Sequence, residues 1–137
     1  MSSFKFRKKT DYGLMMISML ALAGEKKLVS VRAMQEHGLP RSFLVKIARD
    51  LIKSGIVGAK EGRSGGYYLA KEPNTVSLLD VVRALEGDVS IADCTVHGNK
   101  CLLEEKCPHR KLMINLNAEL SDILEKYHLS DFEKLEK

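Results

Sequence analysis

Apolar residues recur three and four positions apart over several stretches of the chain, and glycine or proline interrupts the pattern between them. That alternation predicts short helices joined by tight turns. The clearest stretch is RSFLVKIARDLIK, residues 41–53, where Leu44, Ile47, Ala48 and Leu51 fall on one helical face. The opposite face carries Arg41, Ser42, Lys46, Arg49 and Lys53. Gly55 follows where a helix takes a left-handed stop residue. Two short apolar runs come next, Ile56–Val57 and Tyr67–Leu69, separated by polar residues and glycines. They predict a β-hairpin with the tip Glu61-Gly62-Arg63-Ser64-Gly65-Gly66.

The remaining elements follow from the same rules. A basic arm, Lys5 to Lys9, precedes a first helix in which Thr10 offers an N-cap and Asp11 faces the positive end of the dipole. Leu14, Ile17, Leu20 and Ala21 form its inward stripe, Met15, Met16 and Met19 widen it as adaptable core filler, and Gly24 closes it. Ser30 caps a short second helix, Val31 to His37, and Gly38-Leu39-Pro40 is a tight turn into residues 41–53. Two short helices around a glycine-containing turn are the helix-turn-helix pattern. Beyond Pro73, Ser77 and Asp80 are spaced as a capping box for SLLDVVRALEG, with Leu78, Val81, Val82 and Leu85 inward and Gly87 as the stop. After a linker at 88–93 and a cysteine-bearing loop, a long helix is predicted from Arg110 to Tyr127. Its stripe of Met113, Leu116, Leu120, Ile123, Leu124 and Tyr127 is longer than a small head can cover. The stripe therefore predicts packing against the same helix of a second chain, with Asn117 setting the register. The end, LSDFEKLEK, reads as a fraying polar tail with a short apolar anchor, Leu129 and Phe132.

The expected fold is mainly α with a small β-hairpin: a winged helix-turn-helix head plus a long C-terminal dimerisation helix. The expected division is a DNA-binding head at 1–87, a cysteine-containing cluster loop at 88–109, and a dimerisation helix and tail at 110–137. Composition agrees with a folded chain: 137 residues, 45% hydrophobic and 29% charged, enough for a core and too apolar for disorder. The net charge of +4 favours polyanions without naming one. No run of about 18 apolar residues is present, so no membrane span is expected. Lys5 to Lys9, LMMISML and Ala21-Leu22-Ala23 together imitate a secretory signal. Asp11 interrupts that imitation, and cleavage would remove the first core helix. Three cysteines, an odd number, also fit poorly with a closed disulfide framework, so a cytosolic chain is expected.

A basic helix followed at once by a hairpin is the reading head of a DNA-binding protein. Ser42, Lys46 and Arg49 are placed to reach base edges, and Arg41 and Lys53 to touch phosphates. In the wing, Arg63, Ser64 and Gly65 are placed to meet the backbone or minor groove. The glycines open no helix, which argues against a nucleotide-binding loop. All three cysteines fall within fourteen residues, Cys94-TVHGNK-Cys101-LLEEK-Cys107, with His109 just beyond. Thiolates so grouped can converge on iron–sulfur or zinc, or form a redox disulfide. A thiol oxidoreductase is disfavoured because no Cys-x-x-Cys opens a helix. A zinc-stabilised or cluster-free DNA-binding module without a sensor role, and a winged helix that binds only proteins, stay open.

TDYGL in the first helix, the 41–51 helix, EGRSGGYYLA with Pro73 after it, SLLDVVRALEG and the late cysteines resemble, in that order and over nearly the whole chain, the Rrf-two family of bacterial transcription regulators. The resemblance implies a cytoplasmic winged-helix homodimer on double-stranded DNA, a repressor in the simplest case and not an enzyme. It further implies an iron–sulfur cluster, 2Fe-2S, on Cys94, Cys101 and Cys107, sensing cluster status, redox or nitric oxide. An air-exposed sample could carry no group. The family's cysteine gaps are often equal, whereas here six residues separate the first pair and five the second. His109 also lies one position closer to the last cysteine than the histidine of the branch regulating iron–sulfur assembly. The fourth ligand thus stays open between His109, His97 and the partner subunit's Asp11, which resembles a carboxylate ligand of the nitric-oxide-sensing branch.

Overall fold

Met16, Ile17, Leu20, Met34, Leu39, Leu44, Ile47, Leu51, Leu69 and Val81 are withdrawn from solvent into one apolar cluster, and the head is built around them. A computed structural model describes residues 4–92 and 107–136. Its elements are α1 (Lys8–Ala23), α2 (Val31–Glu36), α3 (Arg41–Lys53), β1 (Val57–Lys60), β2 (Gly66–Leu69), a 3-10 turn (Pro73–Thr75), α4 (Leu78–Glu86), α5 (Pro108–Lys126) and α6 (Ser130–Glu136). The fold is mostly helical with a two-stranded antiparallel hairpin, as the pattern predicts. No helix among the described residues is long and apolar enough to cross a membrane.

Local signals set most boundaries. Ser30 Oγ accepts from Ala33 N at 3.1 Å and starts α2, which ends at Glu36, one residue short of the expected His37. The turn into α3 is closed by Leu39 N donating to Met34 O at 3.2 Å, with the Leu39 side chain buried beneath it. Gly55 follows α3 at φ 82°, a left-handed conformation that a β-carbon would strain. The hairpin pairs Val57 with Leu69 and Lys60 with Gly66. Its inner strand is flanked on the other side by the connection after α1: Val29 and Tyr67 exchange N–H···O bonds of 2.8 and 2.9 Å, and Lys26 N donates to Leu69 O at 3.0 Å. Gly66 lies so close to Val29 O that a β-carbon there would overlap it. Ser77 and Asp80 make the expected capping box of α4, at 3.1 and 3.0 Å.

Several expectations need correction. Thr10 is not the N-cap of α1. The helix starts at Lys8, with Asp11 N donating to Arg7 O at 2.9 Å, so Thr10 already lies inside the first turn. Its side chain is buried, and its Oγ1 has no hydrogen-bond partner. Along α1, Met16 carries more of the core than expected, while Leu14 is half-buried and Met15 exposed. Helix α5 begins at Pro108 rather than Arg110, because proline suits a first turn where its missing N–H is not needed. Asn117, expected to set the pairing register, has its amide engaged within its own chain. It donates to Val89 O at 2.8 Å and accepts from Ile91 N at 3.0 Å, tying the linker after α4 to α5. The expected polar tail is helix α6, started by Asp131 accepting from His128 N at 2.8 Å and anchored by buried Leu129 and partly buried Phe132.

Helix α4 serves two neighbours. Val81 and Leu85 enter the main cluster, whereas Leu79 and Val82 form a second one with Leu124 of α5, flanked by Leu78, Val89 and Leu120. The end of α5 is stitched to the start of α4 by Leu78 N donating to Tyr127 O at 2.8 Å and Leu129 N donating to Val76 O at 3.0 Å. Among the described residues, the C-terminal end of α5 and helix α6 join this segment to the head, while Asn117 ties the middle of α5 to the linker.

Candidate nucleic-acid interface

Helix α3 separates its two kinds of residue cleanly. Leu44, Ile47, Ala48 and Leu51 are buried against α1 and α4, so the helix cannot rotate without exposing them. Rotation being fixed, Arg41, Ser42, Lys46, Arg49 and Lys53 all stand in solvent. Among the described residues, no ion pair engages Arg41, Lys46, Arg49, Lys53 or Arg63. The helix's one acidic residue, Asp50, is turned sideways and paired with Lys9 of α1, which keeps a carboxylate off the cationic face. Tyr12 and Phe43, with ring centroids 5.1 Å apart, pack the first turn of α3 onto α1.

The wing follows α3 directly in the chain, and its first strand packs against that helix. Arg63 and Ser64 are exposed at its tip, and Gly65 is half-buried. Gly65 N donates to Gly62 O at 3.1 Å, so this N–H closes the turn itself. A β-carbon at Gly65 would collide with Lys60 O, which makes glycine a condition of so tight a tip. Cations that make no ion pair among the described residues, on one helix and one loop with no acidic side chain on the same helical face, form a surface suited to a phosphate backbone.

The cysteine region divides between described and undescribed residues. Cys94, Cys101 and His97 lie outside the described residues. Cys107 is free and half-buried at the N-cap position of α5, and His109 is exposed in the first turn of that helix. Asp11 is exposed in the first turn of α1. Among the described residues no three histidine, cysteine or carboxylate side chains converge. The α5 stripe is mostly in solvent: Leu116, Ile123 and Tyr127 are exposed, Met113 and Leu120 half-buried, and Leu124 buried.

Two features escaped the sequence reading. Leu112 and Ile114 of α5 are also exposed, so the apolar surface is broader than the predicted stripe. Val45 stands exposed on the polar side of α3, where its apolar character in an otherwise charged row was the available signal.

Comparison with known proteins agrees with this geometry. A family model described as Rrf2, iron-dependent transcriptional regulator, matches residues 6–134. The chain is similar to the HTH-type transcriptional regulator NsrR of Shouchella clausii (strain KSM-K16), 31% identical over 124 residues, covering 89% of this chain and 83% of the relative. It is also similar to the solved structure of CymR (YrzC), the global cysteine regulator of B. subtilis, at TM-score 0.79 and 27% identity, covering 97% of this chain and 98% of that one. T. potens IscR has TM-score 0.77 at 24% identity, covering 98% of this chain and 90% of its own, a likeness of fold.

Proposed function

The chain belongs to the Rrf2 family of transcriptional regulators, and from that premise we propose that it is a homodimeric repressor whose grip on duplex DNA responds to an iron–sulfur group on Cys94, Cys101 and Cys107. The observation that carries the DNA half is the exposed cationic face of α3 beside the wing. Ser42, Lys46 and Arg49 reach base edges in a major groove, while Arg41 and Lys53 hold phosphates. Arg63 and Ser64 contact the backbone or minor groove from the wing, and Gly65 keeps the tip narrow enough to enter. A dimer formed along the α5 stripe presents two such heads, about 34 Å apart for successive turns of one DNA face.

The donor set suits an iron–sulfur group: three soft thiols within fourteen residues, and an exposed carboxylate at Asp11 and imidazole at His109 as candidates for the fourth position. When bound, such a cluster supplies a charge centre that reacts with oxidants and nitric oxide. Cys107 occupies the N-cap position of α5, the helix with the exposed apolar stripe. A change in what Cys107 holds therefore acts at the end of the proposed dimer helix. Such a change would alter the spacing of the two heads, and a differential of a few kcal/mol would be enough to switch occupancy.

Titration of random duplex DNA at several salt concentrations tests the DNA half. Affinity should fall steeply with salt, and Lys53→Ala should reduce the slope of log K against log salt by about 1. No affinity at low salt would remove the reading. For the sensor half, anaerobically purified protein should be brown, and Cys101→Ser protein should be colourless and deaf to oxidants. A colourless wild-type sample with stoichiometric zinc would replace the sensor with a structural metal.

A further inference from the structure

Val45 is 57% exposed in the second turn of α3, in the midst of side chains assigned above to DNA. Arg41 and Ser42 lie one helical turn before it and Arg49 one turn after it, so these residues surround it on the helix surface. Nothing within the described chain accounts for an apolar residue there. Val45 belongs to neither apolar cluster, and a β-branched residue is a poorer helix former than the lysine or glutamate an exposed position usually takes. Its environment is informative. A lone apolar side chain set among cations suits a partner that offers negative charge around a small apolar spot.

The geometry points to Val45 as a specificity-determining residue that packs against the C5-methyl group of a thymine in the major groove. Thymine is the one base that presents a methyl at that edge. Residues near the start of a reading helix are the ones that reach base edges, and Val45 is within that part of α3. In a helix, valine is nearly confined to a single χ1 rotamer, so its methyls are held in place before binding at little entropic cost. Ile52, 41% exposed and nearly two turns further along, is too near the end of α3 to share the role. This inference rests on the proposed DNA reading and adds to it which base one helix position prefers.

The test uses the full-length protein, purified without oxygen, to select binding sites from a random duplex library. Each thymine of the selected half-site is then replaced in turn by uracil, which differs only in lacking the methyl. At one position the wild type should bind uracil about fourfold more weakly, the worth of one buried methyl group. In Val45→Ala that preference should vanish, whereas Ile52→Ala should keep it. Because Val45 is exposed, the alanine variant should melt with the wild type, so a folding defect would be visible separately. If the wild type selects a defined site but shows no methyl preference, or if Val45→Ala keeps it, Val45 is not the reader and the DNA-binding proposal stands. If the wild type binds no duplex, both readings fall.

Discussion

In α3 the apolar face is covered completely by its own chain: Leu44, Ile47, Ala48 and Leu51 are 0–2% exposed, and what stays outside is mostly charge. In α5 the proportions reverse. Only Leu124 of its stripe is buried, while Leu112 is 63% exposed, Leu116 46%, and Ile123 and Tyr127 48% each. Both helices are amphipathic, yet α3 buries its apolar stripe whereas α5 leaves leucine and isoleucine in solvent beside its charged residues. Exposed cations free of intramolecular pairing suit a polyanion, whereas a broad exposed apolar face suits a surface of its own kind. The difference is the ground for the two partners proposed above, DNA for α3 and a second copy for α5.

The comparison can be broken most severely from the covered side. Leu51→Ala should lower stability by about 2–5 kcal/mol in urea denaturation, because the side chain is fully buried and its neighbours come from several elements. A loss below about 1 kcal/mol would mean the α3 face is not a close-packed seat. On the uncovered side, Leu116→Asp with Ile123→Asp should leave the helical circular dichroism intact and convert a dimer to monomers in sedimentation velocity. Affinity for a two-half-site duplex should then drop on the order of 100-fold as the second head is lost. A double variant that stays dimeric would place the interface elsewhere.

Smaller changes sharpen how the C-terminal end of α5 is held. Ser77→Ala removes the hydroxyl that caps α4 beside the strand-like contact with His128, and should cost about 1 kcal/mol in the same denaturation assay. Asp131 gives the smallest effect, and its sign is set by its bonds. The backbone N–H of His128, aided by Lys134, holds its carboxyl below the ordinary value of 3.8, since both favour the charged form. Its contribution is present above the unfolded value and is lost as pH falls through the lower folded one. The stability gap between wild type and Asp131→Asn should therefore narrow as the pH is taken below about 4, and a gap that widens there would reverse the assignment.

Much of this was readable in advance because it is local. The Ser30 and Ser77 caps, the Gly55 stop and the α3 face each depend on residues within a few positions of one another. The failures have a common character. Thr10 looks like a cap in isolation, but the core behind α1 draws its side chain inward and the helix starts earlier. Asn117 sits in an apolar stripe, and only the folded linker reveals that its amide is occupied by Val89 and Ile91. Leu79 was not expected inside because α4 was given a single inward face, whereas α5 covers a second. Helix α6 escaped because seven residues are too short for a persistent period.

The sequence by itself determined most of the elements, their order, the polar and apolar faces of α3 and the family, since propensity, capping and periodicity act over one or two turns. Tertiary structure decided how far each apolar face is covered, which second face of α4 meets α5, and where the Thr10 and Asn117 side chains go. Burial depends on residues far apart in the chain, and no local pattern records which of them arrive.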